Sequence, residues 1–496
     1  MVVPSFPDKD KAESDFNDVH KLYSIDEVKN QTRTHDERLL DNVELLSKSI
    51  LEKRNPNKKF SCSFLPSMVR DYIEEASNIS NLDPIMVTVP FQATVAGFFK
   101  TSHCIPDGEY YQPLYPLVWE LIVLSSGAFK STGLNAGRRI AQKRHNKTIE
   151  LIEKKKEELG SEYKENDYKK TFEKELRQDI MLPELATSAS FLEDLSHGFG
   201  DSIFHHEFSV WLSNMGHQYN ADFKALLTTL YDVPETFTTQ TKTSGSYTLK
   251  RPFASVCAVS APSWIKEQIT PKDIESGFFA RFLLFCPVED DSIPDALPKK
   301  KDLSGLGTKE SAIADILDKA SAQSRIYSLP SATMEVMERL HYGLYEQAKT
   351  YDEKAQAILK PFLKRWSPYL LKLAMLYQPF FEVQYEGSLR QSGFEITEPA
   401  LLAAASIIDH AIKSTVHVFE KEIGETPHQQ KCRKVLEYIA RQGGRVTWEK
   451  LNGSHTLEGG TTMYQYALDS LMASGDVQFK KGEKKNSNEY FLASPQ

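Results

Sequence analysis

Cysteine is scarce and scattered. The 496-residue chain has 5, at positions 62, 104, 257, 286 and 432, and no C-x-x-C pair. That spacing offers no zinc framework and no disulfide scaffold, and it fits reduced thiols. Long apolar runs are missing too; none approaches the roughly 20 residues a membrane-spanning helix needs. The start, Met1-Val-Val-Pro, lacks a basic-then-apolar leader, so the expectation is a cytoplasmic protein with no membrane partner. Positive charge is not in surplus. A formal net charge of -8 excludes a uniformly basic nucleic-acid coat but leaves room for a local basic patch. What remains is ordinary globular composition, 40% hydrophobic and 26% charged, at a length suited to about two to four domains.

The chain is organised around Leu121-Ile-Val-Leu-Ser-Ser-Gly-Ala-Phe-Lys-Ser-Thr132. Its apolar start reads as a short buried strand. Ser125, Ser126 and Gly127 break that strand, and 134–140 can start a helix. Strand, small-residue loop, Lys-Ser/Thr and helix form the context of a phosphate-binding loop. There, backbone N–H groups and a helix N-terminus face an anion, Lys130 adds charge, and the Ser131 hydroxyl can ligate magnesium. Ser126, Gly127 and Thr132 complete the expected nucleotide contacts. The consensus wants glycines where this chain has Leu124 and Phe129. Phe129 is the serious departure, because glycine before the lysine lets the backbone approach the phosphates. The competing reading is an ordinary strand–loop–helix connection.

Residues 1–58 are polar, and the first part reads as disordered. Residues 60–64 read as a strand, followed by helices near 66–76 and 86–98. The stretch 143–178, dense in Lys and Glu, reads as a long solvated helical insertion. P-loop NTPases end a second apolar strand in an acidic pair, one carboxylate holding hydrated magnesium and the next orienting water. Here Ile203-Phe204 lead to His205-His206-Glu207, so the pair is half present. Imidazole is a poor substitute on magnesium, which prefers oxygen. His205, His206, Glu207 and His217 would instead suggest a transition-metal hydrolase, but no H-x-x-x-H or H-E-x-x-H spacing supports it. The apolar stretch 252–262 carries Ser260 at its tip, where it senses a terminal phosphate or enters a Ser-Ala-Pro turn. Arg281 is the one cation in Gly277-Phe-Phe-Ala-Arg-Phe-Leu-Leu-Phe285. It serves a phosphate, in cis or on a neighbouring subunit, or it pairs with a core carboxylate; both readings stand.

Residues 289–309 read as a linker, and 310–425 as helices that complete the 59–288 core, with Lys372 beside an apolar stripe. From 427 to 492 the order is helix, strand, helix, helix, hairpin, which is a winged-helix reading. Its turn, Gly482-Glu-Lys-Lys-Asn-Ser487, is basic. Lys480, Lys481, Lys484 and Lys485 suit the phosphates of DNA. Winged helices also join proteins together.

Several weak motifs fall in one order. They are Leu65-Pro-Ser-Met-Val-Arg-Asp-Tyr-Ile-Glu-Glu-Ala76, the Lys130 loop, the charged insertion, His206-Glu207-Phe208, Lys224-Ala-Leu-Leu, Ser260-Ala-Pro262, Gly277-Phe-Phe-Ala-Arg281 and Leu371-Lys-Leu-Ala. Over roughly residues 60–420 the chain resembles a family of phage and plasmid P-loop proteins, catalogued as a domain of unknown function and often found beside primase modules. That family is similar to the ATPase cores of ring-forming replicative helicases. The resemblance implies an α/β P-loop NTPase core of RecA/AAA+-like type, flanked by helical regions, that takes ATP and Mg2+. It implies that Lys130 and Ser131 contact phosphates and magnesium, Glu207 orients water, Ser260 senses phosphate and Arg281 acts in trans. Lys372 stands where the family has an arginine. The implied protein is a helicase-like, DNA-binding homo-oligomer of a mobile genetic element, of hexameric or similar ring form, working in replication with a primase. The family has Gly-Lys-Ser and Asp-Glu where this chain has Phe129-Lys-Ser and His206-Glu. Both departures touch the phosphate–magnesium machinery. A second reading follows: a catalytically silent relative acting as a DNA-binding adaptor, origin binder or scaffold, in replication or phage defence.

Overall fold

The computed structural model describes residues 58–105, 112–160, 181–182, 187–196, 202–205, 207–215, 223–241, 245–269, 277–289, 304–423, 427–454, 457, 461–482 and 484–492. Four parallel strands make its central sheet: β1 (Trp119–Val123), β2 (Ser202–His205), β3 (Ser255–Ser260) and β4 (Leu283–Phe285). Their order is β2–β3–β1–β4. Trp119 pairs with Val256, Val123 with Ser260, and Glu120 with Leu283, so β1 has a partner along each side. All residues of β1 and β3 are buried, as expected where helices cover both faces of a parallel sheet. This is why the strands read as nearly continuous apolar runs.

Helices α1 (Ser67–Ser80) and α2 (Ile85–Phe98) precede the sheet, and α3 (Lys130–Gly137) and α4 (Arg139–Leu159) follow β1. Every residue of α2 is buried, and the helix is apolar all round, the pattern of a core helix. Helix α3 lies unusually close to α2. A Cβ placed on Gly133 would sit 2.9 Å from Met86 Cβ, and one on Gly137 would overlap the Pro90 ring and the Val87 carbonyl. Two glycines one turn apart therefore bring the start of α3 against α2 and hold the loop before it in place.

Helix α5 (Phe208–Met215) leaves β2, and α6 (Ser304–Ser321) packs beside α1. Helices α7 (Glu353–Trp366) and α8 (Tyr369–Glu386) clamp the amino ends of the strands. The Trp366 indole N–H donates to the Phe282 carbonyl (3.0 Å). The Tyr369 hydroxyl accepts from Trp119 N–H (2.9 Å) and donates to the Arg281 carbonyl (2.8 Å). Helix α9 (Glu398–His417) packs along α8 and completes the core.

The last part has a separate core built on Val435, Ile439, Val446, Leu451, Leu468 and Val477. It contains α10 (Pro427–Arg441), β5 (Arg445–Thr447), α11 (Trp448–Asn452), α12 (Thr461–Ser474), β6 (Val477–Lys480) and β7 (Glu489–Leu492). The strands form an antiparallel sheet in the order β6–β7–β5. Gly443 and Gly444, both at φ near +80°, turn the chain from α10 into β5 (φ +81° and +80°).

Two local expectations differ from the structure. Residues 60–64 form no strand. The Phe60 N–H donates instead to the Asp83 carboxylate (3.1 Å), and Leu65 N–H closes a turn onto Cys62 O (2.9 Å). Helix α6 begins inside the expected 289–309 linker, where Gly305 and Gly307 in its first turns disguise a helix. The charged insertion is helical through Leu159, and 161–180 lie outside the described residues. No helix among the described residues is long and apolar enough to cross a membrane.

The close seat of α3 is testable by unfolding in urea. Gly137→Ala should cost about 1–3 kcal/mol, because the added methyl must displace backbone. Gly343→Ala, within the helix Ser331–Lys349 and facing open space, should stabilise by roughly 0.5–1 kcal/mol.

Candidate functional site

Strand β1 continues one residue beyond Val123, since Leu124 N–H donates to the Ser260 carbonyl (3.1 Å). The chain then turns through Gly127 at φ +93° and Phe129 at φ +54°. Phe129 is the residue before α3, and its carbonyl accepts from Thr132 N–H (3.0 Å) and Gly133 N–H (3.2 Å). The left-handed backbone there costs a non-glycine residue about 1 kcal/mol. Position 129 thus has a glycine-like conformation while carrying an aromatic ring that is 54% exposed. The loop also holds an anion from its own chain, for Ser125 N–H donates to Glu289 Oε1 (2.6 Å).

Glu207 stands between the end of β2 and the start of α5, where a helix N-terminus favours a carboxylate. Its Oε1 accepts from the hydroxyls of Ser260 and Ser209, the latter at 3.1 Å. Its Oε2 lies 3.5 Å from Lys130 Nζ, and the two side chains are only 20% and 14% exposed. Lys130, Glu207 and Ser260 come from three segments far apart in sequence and meet at the carboxyl ends of β1, β2 and β3. That is the edge at which open α/β sheets receive ligands. Ser126, Gly127, Ser131 and Thr132 lie on the same loop and helix start as Lys130 and are exposed. The arrangement supplies N–H donors, an ammonium and hydroxyls for an anion, and a carboxylate positioned to accept a hydrogen bond from water.

Arg281 and Lys372 are not in this cluster. They lie at the opposite edge of the sheet, near the amino ends of β1 and β4. Arg281 is 5% exposed. Its Nη1 donates to the Gly277 carbonyl (2.7 Å), its Nη2 is 3.8 Å from Asp232, and its Nε has no partner. Of the two sequence readings, the structure shows a carbonyl and a loosely held carboxylate. Lys372 is buried with its ammonium 4.0 Å from the centre of the Tyr231 ring. Burial lowers the Lys372 ammonium to about 7; neighbouring Asp232 opposes this and Arg281 adds to it.

In the C-terminal unit, Lys480, Lys481 and Lys484 are exposed around a turn stapled by Gly482 N–H to Asn488 Oδ1 (3.0 Å). Lys485 opens the short 3-10 turn within it. Helix α12 exposes Tyr466 and Asp469 and contains no Lys or Arg. Among the described residues no group of three or more His, Cys, Asp or Glu side chains could hold a metal ion; His206 and His217 lie outside them.

Sequence reasoning missed Glu120. It lies within the apolar run of β1, fully buried, and neither carboxyl oxygen has a hydrogen-bond partner. Burial raises its pKa well above the ordinary value, which favours the neutral acid in the core. A carboxylate immersed in an apolar strand was the available signal. Ser209 and Glu289 were also missed, being ordinary residue types until the chain folds around Glu207 and the loop.

No family model matches the chain, and no curated protein does.

Glu120 gives a pH prediction. The unfolded chain releases this proton above about pH 4.3, while burial makes the folded chain hold it to higher pH. The unfolded state then binds fewer protons, so the Glu120 contribution to stability falls as pH rises through that value. Relative to Glu120→Gln, wild type should lose stability as pH rises above about 4.3, by at most about 1.4 kcal/mol per pH unit. Parallel stability–pH curves for the two proteins would mean that Glu120 is ionised in the fold.

Proposed function

We propose that the chain binds ATP with Mg2+ at the Lys130 loop and DNA through the C-terminal unit, as a cytoplasmic, helicase-like replication protein of a mobile genetic element. The observation that carries the reading is the meeting of Lys130, Glu207 and Ser260 at the carboxyl edge of a parallel sheet. The residues fit the group: the loop already accepts a carboxylate on Ser125 N–H, which shows that its donor faces an anion. When bound, Mg2+ and the triphosphate would supply a polarised terminal phosphate. Lys130 would exchange Glu207 for the phosphate charge, Ser131 would offer its hydroxyl to the metal, and Ser260 would sense the terminal oxygen. Glu207, released from Lys130 but still held by Ser209 and Ser260, would orient water. Lys372, fixed over Tyr231, would act on the nucleotide only indirectly from its buried seat.

Arg281 sits at the far edge of the sheet, away from this loop, so any phosphate role would fall on a neighbouring copy. In the proposed homo-oligomeric ring Arg281 would leave its Gly277–Asp232 seat to act in trans. DNA contact rests on the exposed wing lysines, because α12 carries no cation. Such a winged-helix unit touches backbone phosphates and reads little sequence. A primase is the partner expected in replication.

The second reading, a silent core serving as DNA-binding adaptor, is favoured by a specific observation. Phe129 occupies the strained loop position, and Glu289 and Glu207 already satisfy the loop N–H and Lys130.

Two experiments separate the readings. ATP binding and hydrolysis are measured for wild type and Lys130→Ala, with Mg2+, with and without single-stranded DNA. Turnover lost by at least tenfold in Lys130→Ala supports a working loop; an inert wild type leaves the adaptor. Replacing Lys480, Lys481, Lys484 and Lys485 with Ala should weaken DNA binding and lower its salt slope by about one per lost phosphate contact. Unchanged binding would move the DNA surface away from this turn.

A further inference from the structure

A cavity of about 630 Å³ opens beside the loop, between α1, α3, α4 and the start of α6. Its size falls within the range of small-molecule sites. Thr132, in the first turn of α3 and two residues beyond Lys130, forms part of its wall. The floor is apolar, from Ala76, Ile79 and Leu306. The lining carries Arg138, Arg139 and Lys143 and no acidic side chain. Arg139 and Lys143 are steadied from outside the cavity by the buried carboxylate of Glu310. Excess positive charge over an apolar floor suits a flat, partly apolar ligand bearing negative charge.

Polar recognition is concentrated at Gln142 and Asn146. They are one helical turn apart, and the Gln142 amide N–H donates to Asn146 Oδ1 (2.9 Å). Donating one of its two amide N–H bonds leaves Gln142 its carbonyl and a second N–H on the same amide, and leaves Asn146 its NH2 group. The edge that matches presents an amino donor next to a ring-nitrogen acceptor. Adenine has that edge, and an Asn or Gln side chain reads it with two bonds. Guanine instead offers two acceptors on its major-groove edge.

We infer that this cavity is the adenosine subsite of the nucleotide whose phosphates lie on the Lys130 loop. The inference rests on the proposed ATP reading and deepens it. Thr132 joins the two parts, so a nucleotide runs from the loop along the flank of α3 and α4. Ala76, Ile79 and Leu306 take the face of the base, Gln142 and Asn146 its amino edge, and Arg139 and Lys143 the sugar–phosphate side.

The test compares equilibrium binding of ATP, GTP and inorganic tripolyphosphate to the full chain. It uses wild type, Lys130→Ala, and the double variant Gln142→Ala/Asn146→Ala, whose changes lie on a solvent-accessible helix face. Wild type should prefer ATP to GTP by roughly tenfold. The double variant should lose that preference and bind ATP about tenfold more weakly, with tripolyphosphate unchanged. Lys130→Ala should weaken all three ligands. Unaltered ATP affinity and selectivity in the double variant, with Lys130→Ala still defective, would overturn the subsite and leave the loop reading intact. A wild type that binds neither ATP nor tripolyphosphate would overturn both.

Discussion

Strand β1 has neighbours on both sides and no exposed residue, so its register admits no slip. A shift of one residue would exchange the side chains of its two faces. Trp119 makes the cost concrete. Its indole N–H donates to Ala254 O (3.0 Å), and its ring packs 5.0 Å from both Tyr231 and Phe282. With β1 pinned, the chain leaves the sheet at one place, beside the end of β3 and near that of β2. The tight seat of Gly133 and Gly137 then fixes the direction of α3. Lys130 meets Glu207 and Ser260 because of these two constraints; the ion pair itself is partly exposed and weak.

The two edges of the sheet handle charge by different means. At the carboxyl edge Glu207 is held by two hydroxyls and an ammonium. At the amino edge Arg281 and Lys372 sit against the Tyr231 ring, 5.2 and 4.0 Å from its centre. Aromatic faces supply electron density without a formal charge. That arrangement tolerates two neighbouring cations where carboxylates are scarce, at the expense of a weakly basic Lys372.

Much of the local order was legible from the sequence pattern. The apolar run before Ser125, a helix after the loop (expected from 134–140, begun at Lys130 in the structure) and the helix–strand–helix–helix–hairpin order after 427 needed only periodicity and turn residues. The partners of Glu207 were only half legible. Ser260 stood at a strand tip, but Ser209 became a ligand of the carboxylate through the turn into α5. Arg281 was legible as an anomaly and not as a contact, since its carbonyl partner, Gly277, carries no side-chain signal. Glu120 was hidden because acidic residues ordinarily mark a strand's exposed side, and here the tertiary fold leaves no such side. Gly133 and Gly137 were hidden for the converse reason: absence of a side chain says nothing about what lies opposite.

The bond from Ser125 N–H to Glu289 gives the loop a resident competitor. Glu289 is tethered four residues beyond the end of β4, so its effective concentration at the loop depends on chain geometry and is indifferent to dilution. Any incoming anion is therefore measured against a carboxylate that never diffuses away. Were an anion to displace Glu289, its carboxylate would be released beside the end of β4, so the state of the loop and the charge at that strand end would change together.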